Sequence, residues 1–290
     1  MRLLLLFLLL TPLLGRAQET PHALLWRVEG KGLAAPSYVV GTVHSRDARA
    51  YGQVPALLEV MPAVDAVAGE LDLTALAPSM ELAQAMMLPS GTALADLYGK
   101  RKLKRVKATL EKQLGPMAMV GARIKPFFLM SMLAETVMRA DSDLVLDQYI
   151  EHKAKAMGKE VLGLETMQEQ LAVVASVPLQ EQADMLYELV ANDMHRKDLE
   201  RMMEAYAAQD LDAILRITAQ GGLSDGFSKS LLTDRNRVMA QRMDSLMTGG
   251  RSFLFAVGVG HLPGEGGVLS LLRAKGYTVA ARPAVPAREH

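Results

Sequence analysis

The chain has 290 residues, half of them hydrophobic, and its 32 basic side chains balance 32 acidic ones, leaving no formal net charge. That much apolar material supports a sizeable core in one large or two small domains, which excludes a disordered or fibrous chain. Neutrality leaves no basic footprint for nucleic acid, and the lack of any cysteine excludes disulfides, thiol nucleophiles and cysteine-based zinc or iron–sulfur sites.

The N-terminus opens with Met1-Arg2, continues as an almost pure leucine run from Leu3 to Leu10, and reaches the small residues Gly15 and Ala17 after Thr11-Pro12. This pattern predicts a secretory signal peptide over residues 1–17. The apolar run is shorter than the about 20 residues a spanning helix needs, so no stable membrane anchor is expected and the product is placed in the periplasm or outside the cell. Loss of Arg2 and Arg16 leaves 30 basic against 32 acidic residues. An oxidising compartment without cysteine implies a protein stabilised by its core alone.

Ala23 to Val28 and Ser37 to Gly41 read as two short strands, with Gly30, Gly32 and Pro36 between them suggesting a hairpin. Pro55 opens a short helix to Met61, and Asp65 to Leu71 is a third strand. From Thr74 to Met157 apolar residues recur at helical spacing, as in Leu129, Met132, Leu133 and Val137. The Lys100 to Lys107 cluster reads as a solvated helix face. Val161 to Leu164 is a short strand, and Met167 to Met247 a second helical block. Within it, Lys229 to Met247 reads as one helix with Leu231, Leu232, Val238, Met239, Met243 and Leu246 on its apolar face. Phe253 to Val257 is a buried strand, Gly264 to Lys275 a helix capped by Gly276, and Tyr277 to Ala281 the last strand before a Pro-rich tail from Pro283. The methionine-rich helices read as adaptable core filling. The fold class expected is α/β with α+β character: a central mixed sheet built from the N- and C-terminal segments, with a large helical insertion.

Four polar residues share one local context, for His44, Glu70, Glu165 and His261 each end or follow a predicted strand. Ligands of open α/β sheets bind beyond the carboxyl ends of strands, so the four should converge on one rim. Two imidazoles and two carboxylates suit a divalent metal with an open position, or acid–base work. Both histidines stand in Gly-x-x-His turns, where Gly41 and Gly258 allow positive φ and close backbone approach. Glu70 is released from helix capping by Asp72 or Thr74, and Glu165 by a Thr166–Glu169 capping box. Arg235 lies beside an apolar helix face and needs a carboxylate or a ligand. No G-x-S-x-G elbow, P-loop, HExxH or complete dinucleotide fingerprint occurs.

The segments Leu24-Leu25-Trp26-Arg27-Val28, Gly41-Thr42-Val43-His44, Gly69-Glu70-Leu71-Asp72, Gly163-Leu164-Glu165-Thr166, Arg235-Asn236 and Val257-Gly258-Val259-Gly260-His261-Leu262 occur in that order. With them the chain resembles the TraB/PrgY/GumN family, whose Tiki members are similar to metal-dependent proteases. The resemblance implies one domain over residues 18–290, with a helical cap at approximately 74–157 and 167–247. It implies a metal-dependent hydrolase of peptide or protein substrates, with a divalent ion (manganese, cobalt or zinc) as cofactor. His44, Glu70 and His261 are expected as metal ligands, Glu165, Arg235 and Asn236 as catalytic residues, and Gly41, Thr42, Gly258 and Gly260 against substrate. Which glutamate is ligand and which is base stays open, as does a non-catalytic protein that sequesters a peptide or a metal.

Overall fold

A computed structural model describes residues 22–75, 80–192, 194–220 and 229–282. The expected signal peptide and the Pro-rich tail lie outside the described residues. β1 (Leu25–Glu29) and β2 (Ser37–Thr42) form the expected hairpin, with Leu25 opposite Val40. Gly30, Lys31 and Gly32 take positive φ to turn it. α1 (Val54–Val60) carries Pro55 in its first turn, and β3 (Ala66–Gly69) follows. The first helical block comprises α2 (Met80–Met86), α3 (Lys100–Leu114), α4 (Ala118–Gly121), α5 (Pro126–Val137) and α6 (Leu146–Ala156). β4 (Glu160–Gly163) separates it from α7 (Met167–Ser176), α8 (Leu179–Asn192), α9 (Met194–Ala207), α10 (Leu211–Gln220) and α11 (Arg235–Thr248). β5 (Phe253–Gly258), α12 (Val268–Ala274) and β6 (Thr278–Arg282) close the described chain.

Six strands form one mixed sheet in the order β4-β3-β5-β2-β1-β6. β4, β3, β5 and β2 run parallel, with Val67 opposite both Val161 and Leu254 and Val39 opposite Phe255. β1 runs antiparallel to β2 and β6. The first and last strands of the described residues therefore meet in one sheet as expected, and β4 is added from between the helical blocks. β2 and β3 are buried along their whole length and β5 nearly so, the pattern of parallel strands covered on both faces.

Among the described residues burial divides into two clusters. The larger joins the sheet to α1, α6, α9, α10, α11 and α12, and includes Trp26, Phe253, Phe255, Met203, Met239, Met243 and Met247. Those methionines are core filling, as their helical spacing suggested. The smaller gathers Val106, Leu110, Leu129, Leu133, Ala183 and Leu186 from α3, α5 and α8. The second helical block is thus split: α8 packs with the first block as a cap, while α9 to α11 cover the sheet.

Two helix boundaries differ from expectation. The last helix starts at Val268, because Gly264 takes φ +85 and Gly266 and Gly267 lower helix propensity. The expected Lys229–Met247 helix begins as a π-helical segment, Lys229–Asp234, before α11 takes over at Arg235. Such wide turns recur at functional sites, and this one delivers Arg235.

Candidate functional site

Because β4, β3, β5 and β2 are parallel neighbours, their carboxyl ends line up along one edge of the sheet. Glu165, Glu70, His261 and His44 follow those four strands in the same spatial order. Glu70 stands at the centre. Its Oε1 accepts the Gly258 N–H at 2.7 Å and lies 3.5 Å from His261 Nε2. Its Oε2 accepts from Arg235 Nη2 at 2.6 Å and from Gln170 Nε2 at 3.2 Å. Glu165 is tied to it through the backbone, donating its N–H to Glu70 O at 2.7 Å.

Arg235 joins the two carboxylates. Nε donates to Glu165 Oε1 at 2.9 Å, Nη2 to Glu165 Oε2 at 2.5 Å, and Nη1 to Leu231 O at 3.2 Å. Its side chain is only 12% exposed and that of Glu165 4%. Burial works against its charge, but the Glu165 hydrogen bonds and the charges of Glu70 and Glu165 hold Arg235 above the ordinary guanidinium value. The expected contact is therefore made with both glutamates. Asp72 caps the chain after β3, accepting Thr74 and Ala75 N–H, and Thr166 and Glu169 form the expected capping box. Neither Glu70 nor Glu165 is used as a cap.

His261 is buried, with a side chain 6% exposed. Asn236 Nδ2 donates to Gly266 O at 2.8 Å, which leaves Asn236 Oδ1 as an acceptor 2.6 Å from His261 Nδ1. Nδ1 therefore carries the proton. Burial lowers the His261 pKa, opposing the pull of Glu70, so the ring is neutral near pH 7 and Nε2 presents a lone pair to Glu70 Oε1. His44 is different, being 61% exposed, with Nδ1 at 3.5 Å from Asp147 Oδ2. The Asp147 carboxylate raises the His44 pKa against desolvation.

A cavity of about 280 Å³ lies over the strand ends, lined by Thr42, His44, Glu70, Asp147, Glu151 and Gln170 among others, with Gly258 in its wall. A larger cavity of about 450 Å³ at Leu97 to Lys102, Gln180 and Asp184 shares no residue with it and holds no histidine and one carboxylate, so the smaller one is the candidate site. Thr42 and Gly258 thus face the cavity. Gly41 instead packs under Val259 and Leu262, where a Cβ would meet side-chain carbons at 2.9 and 3.0 Å, and Gly260 faces Leu232. Neither Gly41 nor Gly258 takes positive φ, so their value is close approach alone: a Cβ at Gly258 would stand 3.0 Å from Glu70 Oε1.

Sequence reading missed Asp147, Glu151 and Gln170. Asp147 and Glu151 are four residues apart on α6 and so share a helix face, which was the available signal. Glu151 is buried, and desolvation pushes its pKa up to about 7 although Thr74 N–H donates to it at 3.1 Å.

Among the described residues no group of three or more His, Asp or Glu side chains is already arranged as a metal site. The donors nevertheless fit a divalent cation in pairs. His261 Nε2 and Glu70 Oε1 face each other at 3.5 Å, a spacing that two ligands at about 2.0–2.2 Å from one ion can adopt. Asp147 Oδ2, beside His44, is buried and accepts no hydrogen bond among the described residues.

The sequence model of the TraB/PrgY/gumN family matches residues 24–281. The chain is 25% identical to Metalloprotease TIKI2 of Danio rerio, over 92% of this chain and 62% of that protein. It is 27% identical to Metalloprotease TIKI2 of Xenopus tropicalis, over 93% and 62%, and 24% identical to Metalloprotease TIKI1 of Homo sapiens, over 92% and 63%. It thus spans about three fifths of the length of these relatives. No solved structure matches it.

Proposed function

The chain belongs to the TraB/PrgY/gumN family, and on that footing we propose that it is a metal-dependent hydrolase of peptide or protein substrates, exported to the periplasm. The observation that carries the proposal is the His261–Glu70 pair. A neutral imidazole with Nδ1 committed to Asn236 and a carboxylate held by Arg235 and Gly258 present two electron-rich atoms to each other. That arrangement is repulsive without a cation and favourable with one. The names of the relatives, metalloproteases TIKI1 and TIKI2, support the same chemistry, and the leucine-rich first residues support export. No helix among the described residues is long and apolar enough to cross a membrane.

His44, Glu70 and His261 would hold the ion, with manganese, cobalt and zinc all compatible with imidazole and carboxylate donors. When bound, the cation supplies Lewis acidity toward a carbonyl and lowers the pKa of a water. The rest falls to side chains of the chain. Arg235 has all three of its nitrogens engaged by Glu70, Glu165 and Leu231 O, which supports an orienting role over direct contact with an oxyanion. Glu165, expected as a catalytic residue, has both oxygens engaged by Arg235, which supports it as the anchor of that arginine. Asn236 fixes the His261 tautomer. Glu151 lines the cavity with a pKa of about 7, matched to proton transfer at neutral pH. Thr42 and Gly258 border the space where a peptide backbone would lie.

Metal analysis of the purified protein, followed by peptide-library cleavage with and without chelator, tests the proposal. One ion per chain is expected, with cleavage lost on chelation and restored by the ion. Full turnover by metal-stripped protein would sink it. Tight metal binding with no turnover of any peptide or ester would favour sequestration instead.

A further inference from the structure

The two histidines meet helix-borne oxygen atoms on the same ring nitrogen. His261 follows β5, and its Nδ1 is held by Asn236 of α11 at 2.6 Å. His44 follows β2, the parallel neighbour of β5, and its Nδ1 lies 3.5 Å from Asp147 Oδ2 in the first turn of α6. They differ in what else fixes them. Packing immobilises a buried ring such as His261. His44, 61% exposed, has little packing, so the partner of Nδ1 decides its orientation and tautomer.

Asp147 is built for that task. Its Oδ1 accepts the Thr42 hydroxyl at 2.6 Å, so the strand that carries His44 also fixes the carboxylate. Its Oδ2 is buried and has no hydrogen-bond donor among the described residues. A buried carboxylate oxygen left without a donor is unfavourable, and a modest turn of the exposed imidazole brings the Nδ1–H of His44 onto it. Thr42, His44 and Asp147 all line the same cavity.

We infer that Asp147 is a positioning residue of this site, taking the Nδ1–H of His44 so that Nε2 is the free nitrogen, as Asn236 does for His261. What Nε2 then binds rests on the function proposed above. The tautomer itself is a property of the cation-free protein.

Two measurements separate the ideas. Nitrogen-15 NMR of the imidazoles, in cation-free protein at a pH where they are neutral, reads the His44 tautomer, with the signal assigned by its loss in His44→Gln. Wild type and Asp147→Asn, which keeps an acceptor oxygen, should show Nδ1–H. Asp147→Ala should lose that preference, and the nearly isosteric Asp147→Leu gives the same reading if the Ala variant fails to fold. In the second measurement, titration with Co²⁺ should weaken about 10–100-fold in Asp147→Ala and only a few-fold in Asp147→Asn. Retention of Nδ1–H in Asp147→Ala or Asp147→Leu overturns the inference. So does Asp147→Asn binding Co²⁺ as poorly as Asp147→Ala with its tautomer intact, since Asp147 would then be a ligand. Failure of wild type to bind Co²⁺ counts against the metal reading and leaves the NMR result to decide the role of Asp147.

Discussion

Arg235 bridges the carboxylates of Glu70 and Glu165 and offsets one of their two negative charges. Removing one partner of a buried ion pair costs about 3–5 kcal/mol, because the remaining charge is stranded. Arg235→Met should therefore lower stability by about that amount, read as the urea midpoint, and Arg235→Met with Glu165→Gln should lose less than the sum of the two single changes. Glu151 offers a pH-dependent counterpart. Its pKa is raised from 4.5 to about 7 in the folded chain, so the folded state keeps a proton that the unfolded state releases between those values. Stability from this group is full below about pH 4.5 and falls as pH rises through 7. Glu151→Gln, neutral throughout, should match wild type near pH 4 and exceed it near pH 9, by on the order of 3 kcal/mol at most. Parallel stability curves for the two proteins would show that Glu151 ionises normally.

At the scale of elements, the strand ends work because glycine lets groups approach where a side chain would intrude. A Cβ at Gly69 would stand 2.7 Å from both Glu151 Oε1 and Leu71 O, and one at Gly258 3.0 Å from Glu70 Oε1. Gly69→Ala should cost about 1–3 kcal/mol in thermal unfolding. Gly258→Ala should cost less stability but displace Glu70, and divalent-ion affinity by calorimetry should fall about tenfold or more. Gly52, where a Cβ meets nothing within 4 Å, supplies the control: Gly52→Ala should leave both measurements unchanged. Equal effects at all three positions would mean that close packing at the strand ends is not what these glycines provide.

At the scale of the whole molecule, the described residues form two apolar cores, and they should open separately. The cap core rests on α3, α5 and α8 and shares none of its buried residues with the sheet core. Leu133→Ala removes a fully buried side chain of the cap, at a cost of about 2–5 kcal/mol. Hydrogen exchange should then rise in α3, α5 and α8 while β2, β3 and β5 stay protected. Uniform acceleration across the sheet would mean that the two cores form one cooperative unit.

Local sequence determined much of this. Strand runs such as Phe253 to Val257, the hairpin glycines, the Thr166–Glu169 capping box and the polar residue after each strand were legible because each depends on near neighbours in the chain. So was the need of Arg235 for a carboxylate, since a guanidinium beside an apolar helix face must find one. Tertiary structure decided what lies across the sheet edge. The order β4-β3-β5-β2 sets Glu70 between Glu165 and His261, and no spacing in the chain encodes which strands become neighbours. The splitting of the second helical block follows from packing between segments distant in sequence, whereas the late start of α12 has a local cause in its glycines. Asp147 and Glu151 went unread for the same reason: on α6 they are ordinary helix acids, and only the seating of that helix beside β3 and β4 turns them toward His44 and the cavity.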